Sequence, residues 1–318
     1  MYNQPEVALI KYELEVKSIV KGRNAYICDT DKGLRLLLPY SGSNERVELL
    51  YDILKEIRNK GMEIEQIYKT IEGEFKSSDE SGTEYILKDC YQGDEFRVGN
   101  ISDMTAAMEL MARFHNITEQ IDKKFEVKEE VSNEYRRHFR ELVKIRNYIQ
   151  TKNKKNDFER IFLRVQKEYI DMAKASVDAI SNYDNYIGCL WCHGQFNHHN
   201  VIVTSHGMRL INFENMCYCT PLLDISNFVR KMMEKSDWNI DVWRCLMTSY
   251  EMYRPLNECD HELLYYMMKF PEKFWKISNH YYNSNKAWVS RRDIDKLNKI
   301  IEQETKRLSF LQKAFSFD

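Results

Sequence analysis

Residues 188–214 read GCLWCHGQFNHHNVIVTSHGMRLINFE. Two short apolar runs, Val201-Ile202-Val203 and Met208-Arg209-Leu210-Ile211, flank Thr204-Ser205-His206-Gly207, which has the composition of a hairpin turn. One loop leads into this ribbon and a second leaves it. The layout brings His193-Gly194-Gln195 and Asn200 to the same end as Asn212-Phe213-Glu214. That end is the candidate site, and its chemistry is dominated by amides, with Glu214 as its carboxylate.

Composition sets the outer bounds. A chain of 318 residues with 43% hydrophobic content can build one large domain or two lobes with a sizeable core. A formal charge of -2 gives no electrostatic case for nucleic acid or an anionic membrane. No signal peptide is recognisable and no run of about 18 apolar residues is present, so the chain is expected in a cytosol without a membrane span. Eight irregularly spaced cysteines do not resemble a disulfide framework, and free thiols are expected.

Residues 12–20 alternate in part, as a half-buried strand does, and 25–28 and 34–38 read as two further strands split by Asp29-Thr30-Asp31-Lys32-Gly33. Ser43 or Asn44 is placed to cap a helix over 45–60, whose Val47, Leu50, Ile53, Leu54 and Ile57 form one apolar stripe ended by Gly61. Strands follow at 66–71 and 84–87. From Ile101 the period changes to that of helices, expected up to about 115 and over 129–150, 157–181, 223–235, 238–253, 261–268 and 293–315. The fold class is therefore α+β, with a β-rich N-terminal lobe over 1–92 and a larger helical lobe over 93–318. No repeat is visible.

This order resembles the bilobal protein-kinase-like fold, in which H-G-D-x-x-x-x-N precedes the hairpin and D-F-G or D-x-E follows it. More specifically the chain resembles the spore-coat CotS family, in the aminoglycoside-phosphotransferase and choline-kinase branch. The residues that carry the likeness are Ala25 to Cys28 with Asp31-Lys32-Gly33, 36–43, Tyr85-Ile86-Leu87, Met111 to His115, the loop at His193, and Pro221-Leu222-Leu223-Asp224. Phe270 to Ile277 and Tyr281-Tyr282-Asn283 extend it towards the end of the chain. The resemblance implies a small antiparallel sheet with one helix, a helical lobe, and a nucleotide cleft whose candidate lining is Leu38, Leu87 and Asn200.

The departures bear on mechanism. The phosphate-pairing lysine of active relatives is matched here by Leu38, although Lys32 or Lys88 offers an alternative reach. Gln195 stands where the family's catalytic Asp accepts the substrate proton, and an amide cannot act as that base. Asn212 replaces the metal-binding Asp after the hairpin. Asn200, Asn212 and Glu214 would hold a metal only if the site functions, because two amides and one carboxylate bind a hard divalent ion poorly. His193 and Asp224 are expected to brace backbone, Asp224 from near the start of a helix. Cys189-x-x-Cys192 and Cys217-x-Cys219, with His193, His198 and His199 nearby, also raise a structural zinc reading, with core packing of the thiols as the preferred one.

The resemblance thus implies a sporulation protein expected in the mother-cell cytoplasm and then the spore coat. It would be a pseudokinase that contacts other coat proteins and needs no cofactor. The alternatives are an active aminoglycoside- or choline-kinase-like phosphotransferase using ATP and Mg²⁺, and a nucleotide-binding regulator without turnover, either of which would hold a small molecule or nucleotide in the cleft. Some of the 20 tyrosines, notably Tyr265-Tyr266 and Tyr281-Tyr282, are candidates for a contact surface.

Overall fold

A computed structural model describes residues 5–121, 131–184, 188–283 and 290–316. A short helix α1 (Pro5–Leu9) precedes the strands β1 (Val16–Lys21), β2 (Tyr26–Thr30) and β3 (Gly33–Pro39). Then come helix α2 (Asn44–Asn59) and the strands β4 (Ile67–Tyr68), β5 (Ser77–Ser78), β6 (Glu84–Asp89) and β7 (Asp94–Glu95). The main sheet is antiparallel, ordered β1-β2-β3-β6-β4, with β5 beside β6.

Register decides which side chains meet. Leu37 lies opposite both Tyr26 and Leu87, so these three share a face, and with Cys28 and Tyr85 they are covered by Ala8, Leu9 and Tyr12. Lys88 pairs with Leu36 and Ile86 with Leu38, which puts these four on the other face. Two expected strands are shorter than their patterns. Tyr12 is buried in a turn closed by its N–H on the Leu9 carbonyl at 3.0 Å, so β1 begins only at Val16. Thr70 binds the Glu74 N–H through its hydroxyl at 3.0 Å and turns the chain, leaving β4 two residues long. Helix α2 forms as its stripe predicts, with Ser43 as the cap on the Arg46 N–H at 3.3 Å.

The remaining elements are α3 (Ile101–Thr118), α4 (Val131–Thr151), α5 (Asp157–Ser181), β8 (Leu190–Cys192), β9 (Val201–Thr204), β10 (Gly207–Leu210) and β11 (Cys217–Cys219). They are followed by α6 (Leu222–Lys235), α7 (Ile240–Glu251), α8 (Glu258–Lys269), α9 (Glu272–Asn283) and α10 (Arg291–Ala314). Residues 129 and 130, expected to open α4, lie outside the described residues. No described helix is long and apolar enough to cross a membrane.

The chain separates into two compact units. One comprises Met1–Arg97, Arg113–Lys123 and His193–Met216; the other comprises Val98–Ala112, Lys124–Cys192 and Cys217–Asp318. The first unit therefore contains the β9–β10 hairpin as well as the N-terminal sheet. In the second unit α5 starts from an Asn156–Glu159 capping box. Its Phe162 and Tyr169 stack on Phe274 of α9, with ring centroids 5.2 and 4.0 Å apart.

Strands β8 and β11 pair so that Cys192 faces Cys217, and Leu190, Cys192 and Cys219 form a small core. Burial pushes the Cys192 thiol up to about 12, and the Cys192 hydrogen bond, with burial, raises Cys219 well above the ordinary thiol range. Among the described residues, no three of the four thiols of the zinc reading come within 4.8 Å of one another. Neutral, packed thiols of this kind are core residues.

Candidate functional site

The site lies within the first unit, where the sheet face carrying Lys88 meets the loops that lead into and out of the β9–β10 hairpin. His193 is fully buried; its Nε2–H donates to the Ile211 carbonyl at 2.9 Å, and its Nδ1 accepts the Gln195 N–H at 3.3 Å. A carbonyl can only accept and an N–H can only donate, so these bonds fix the neutral Nε2–H tautomer. The ring ties one loop to the other and also packs 4.9 Å from the Phe213 ring. Gln195 is exposed, and its backbone carbonyl accepts from Asn200 Nδ2 at 2.9 Å and Asn197 Nδ2 at 2.9 Å.

The two amides at the family's metal positions bind each other. Asn212 Nδ2 donates to Asn200 Oδ1 at 2.9 Å, and Asn212 Oδ1 accepts from Lys88 Nζ at 3.0 Å. Because an ammonium only donates, Lys88 fixes which end of the Asn212 amide faces it. Asn212 sits at φ 64, ψ 62, a left-handed conformation that asparagine tolerates better than most residues. That twist lets its N–H and the Phe213 N–H donate to Glu65 Oε1, at 3.0 and 3.2 Å.

Lys88 is the hub. Its ammonium donates to Glu65 Oε1 at 3.1 Å, to Asn212 Oδ1 and to Glu214 Oε1, so three oxygens surround it. Burial alone would lower its pKa, but the Glu65 and Glu214 carboxylates outweigh burial and the net direction is up, keeping the ammonium charged. Burial lifts the Glu65 carboxyl above the usual range, with Lys88 pulling the other way and Glu214 adding to the rise. Arg46, in the first turn of α2, donates to the carbonyls of Glu214 at 3.3 Å and of Met216, and so anchors the segment that follows the hairpin.

Several expected site residues fall elsewhere. Leu87 does not open onto a cleft: it is 1% exposed, inside the cluster beneath α1, because its neighbour Lys88 takes the opposite face. Leu38 is partly buried on the Lys88 face and contributes no charge, while Lys32 is spent on Glu13, whose carbonyl accepts at 2.8 Å. Asp224 is fully buried in the first turn of α6. The site's lysine therefore comes from β6. Glu65 and Arg46 had no signal in the sequence beyond being charged residues near a helix end.

This set does not fit a divalent ion. The amide oxygens that a metal would need already accept hydrogen bonds, and an ammonium stands among the carboxylates. A base at the loop is also missing, since residue 195 is an amide that faces solvent.

A family described as spore coat putative kinase YutH matches residues 8–314. The chain belongs to that family. Spore coat protein S of Bacillus subtilis (strain 168) is similar at 24% identity, with 94% of this chain and 88% of that protein covered. Among solved structures, an aminoglycoside phosphotransferase from Alicyclobacillus acidocaldarius superposes with a TM-score of 0.85 at 18% identity, covering 99% of this chain and 96% of the other. Spectinomycin phosphotransferase APH(9)-Ia, in complex with ADP and spectinomycin, gives 0.66 at 15% identity, covering 98% and 99%. These solved structures establish a kinase-like phosphotransferase fold, an antiparallel sheet followed by a helical region, as the resemblance implied.

Proposed function

We propose that this member of the coat-kinase family is a spore-coat protein that keeps the kinase fold without transferring phosphate. It would be made in the mother-cell cytoplasm and then held in the coat by contacts with other coat proteins. One observation carries the reading: Lys88 places a fixed ammonium between Glu65, Asn212 and Glu214, where a phosphotransferase would need a divalent ion. A tethered cation cannot arrive with a nucleotide or leave with it, and it makes no bond to a phosphate while three protein oxygens hold it. Gln195 removes the base as well, a loss typically worth about 10²- to 10⁴-fold in rate.

The surface of the second unit supports a contact role. Tyr148 is 47% exposed and meets Tyr282 edge-on at 5.3 Å, with Lys144 5.8 Å from the Tyr282 ring, an amphipathic aromatic face of the sort interfaces use. Calorimetric titration of the full chain with ATP, with and without Mg²⁺, tests the reading. No Mg²⁺-dependent heat is expected; tight binding that requires Mg²⁺ would overturn it.

A further inference from the structure

A second group of ligating side chains includes the two residues that precede Asn200 in the chain. Glu95 on β7 and the adjacent His198 and His199, in the 3-10 turn that runs into β9, place one ligand atom each within 4.8 Å of one another. His199 Nδ1 and Glu95 Oε2 are 2.7 Å apart, and the two imidazole rings lie 3.8 Å apart between centroids. We propose that Glu95, His198 and His199 form a binding site for a late first-row divalent cation, zinc foremost.

The donor set is the first reason. Two imidazoles and one carboxylate, with a fourth position left to water, are a zinc set, whereas magnesium and calcium prefer oxygen throughout. The donor atoms all lie within 4.8 Å of one another, close to the span of ligands that each come to about 2.0–2.2 Å from one ion, so small side-chain movements would close the site.

Pre-organisation is the second reason. Glu95 is held in register by pairing with Ile202, next to Asp94 with Val203. A Cβ at Gly93 would collide with the Val203 carbonyl oxygen, so glycine is what lets the β7 segment approach β9 this closely. The other two donors are held by Asn197, whose side-chain oxygen accepts the His199 N–H at 2.9 Å, and by a T-shaped contact of His198 with the Phe96 ring, 6.3 Å between centroids. All three donors thus hang from backbone that is already ordered. The cation would clamp β7 to the turn between Gln195 and β9, fixing the loop from outside as His193 does from within. His199 and Glu95 are each about half exposed, so the ion can enter from solvent.

The test is zinc competition against a chromophoric chelator on the full metal-free chain, with cobalt substitution to report the ligands. The expected result is one ion per chain, a cobalt spectrum without the intense thiolate charge-transfer band, and affinity lowered at least about tenfold by Glu95→Gln, by His198→Ala and by His199→Ala. Cys217→Ser and Cys219→Ser should leave affinity unchanged. Glu95→Gln keeps shape at a half-exposed position, so it remains informative if a histidine variant folds poorly; far-ultraviolet dichroism monitors that. Absence of stoichiometric binding, a thiolate band, or undiminished affinity in Glu95→Gln would overturn the proposal.

Discussion

Lys88 Nζ lies 3.1 Å from the Glu65 carboxylate, and the two side chains are 1% and 3% exposed. A pair this deep is expensive to desolvate and has value only while it stays complete. Glu214 and Asn212 complete it on the lysine side, and the N–H groups of Asn212 and Phe213 complete it on the glutamate side. The cluster therefore closes the loop after the hairpin onto β6.

Removing the ammonium should expose this dependence. Lys88→Met is expected to cost about 3–5 kcal/mol, because Glu65 and Glu214 lose their counter-charge. Mn²⁺ should restore part of the loss in the variant while leaving the native chain unchanged. Urea denaturation with and without Mn²⁺ measures both effects.

Asn212→Asp tests the amide relay. The substitution deletes the Nδ2 donor to Asn200 and brings a third carboxylate to Lys88, so a loss of about 1–3 kcal/mol is expected without divalent ions. Because Lys88 still occupies the place of the ion, added Mg²⁺ should leave the melting temperature of this variant where it is.

Much of this architecture is legible in the sequence. Helix α5 occupies its expected span because Asn156 and Glu159 write a capping box ahead of an apolar stripe, and the β9–β10 hairpin follows from its turn residues. The Lys88–Glu65 cluster is not legible, since a lysine in a buried strand carries no periodic signal and its partner lies 23 residues earlier, before a two-residue strand. The family pattern directed attention to Leu38 on β3, two residues beyond Leu36, the partner of Lys88 on β6. Helix α9 also escaped, its aromatic-rich FWKISNHYYN being held helical by packing against α4 and α10 and by ring stacking on α5 more than by propensity.

Acid should act on the second unit through Glu272. Burial raises its carboxyl, but the His138 imidazole 3.7 Å away, with Arg230 and Lys276, outweighs burial and holds it at about 2 against an ordinary 4.5. A depressed carboxyl contributes stability above the unfolded value and loses it as pH falls, so of the order of 3 kcal/mol should disappear between about pH 4.5 and 2. Glu272→Gln should flatten the dependence of unfolding free energy on pH across that window.

Thiol reactivity should follow burial. Cys245 is exposed, whereas Cys28, Cys192 and Cys219 are buried, and burial raises the Cys28 thiol to about 11 and Cys192 to about 12. Alkylation of the native chain at neutral pH should label Cys245 first and reach these three only after unfolding, as peptide mass spectrometry would record.

The account stands most directly on Mg²⁺-dependent ATP consumption by the native chain, measured beside Asn200→Ala and across a panel of aminoglycoside and amino-alcohol acceptors. With Lys88 held by Glu65, Asn212 and Glu214 and no base at Gln195, consumption indistinguishable from the buffer blank is predicted for both proteins. Steady Mg²⁺-dependent turnover by the native chain that disappears in Asn200→Ala would contradict it.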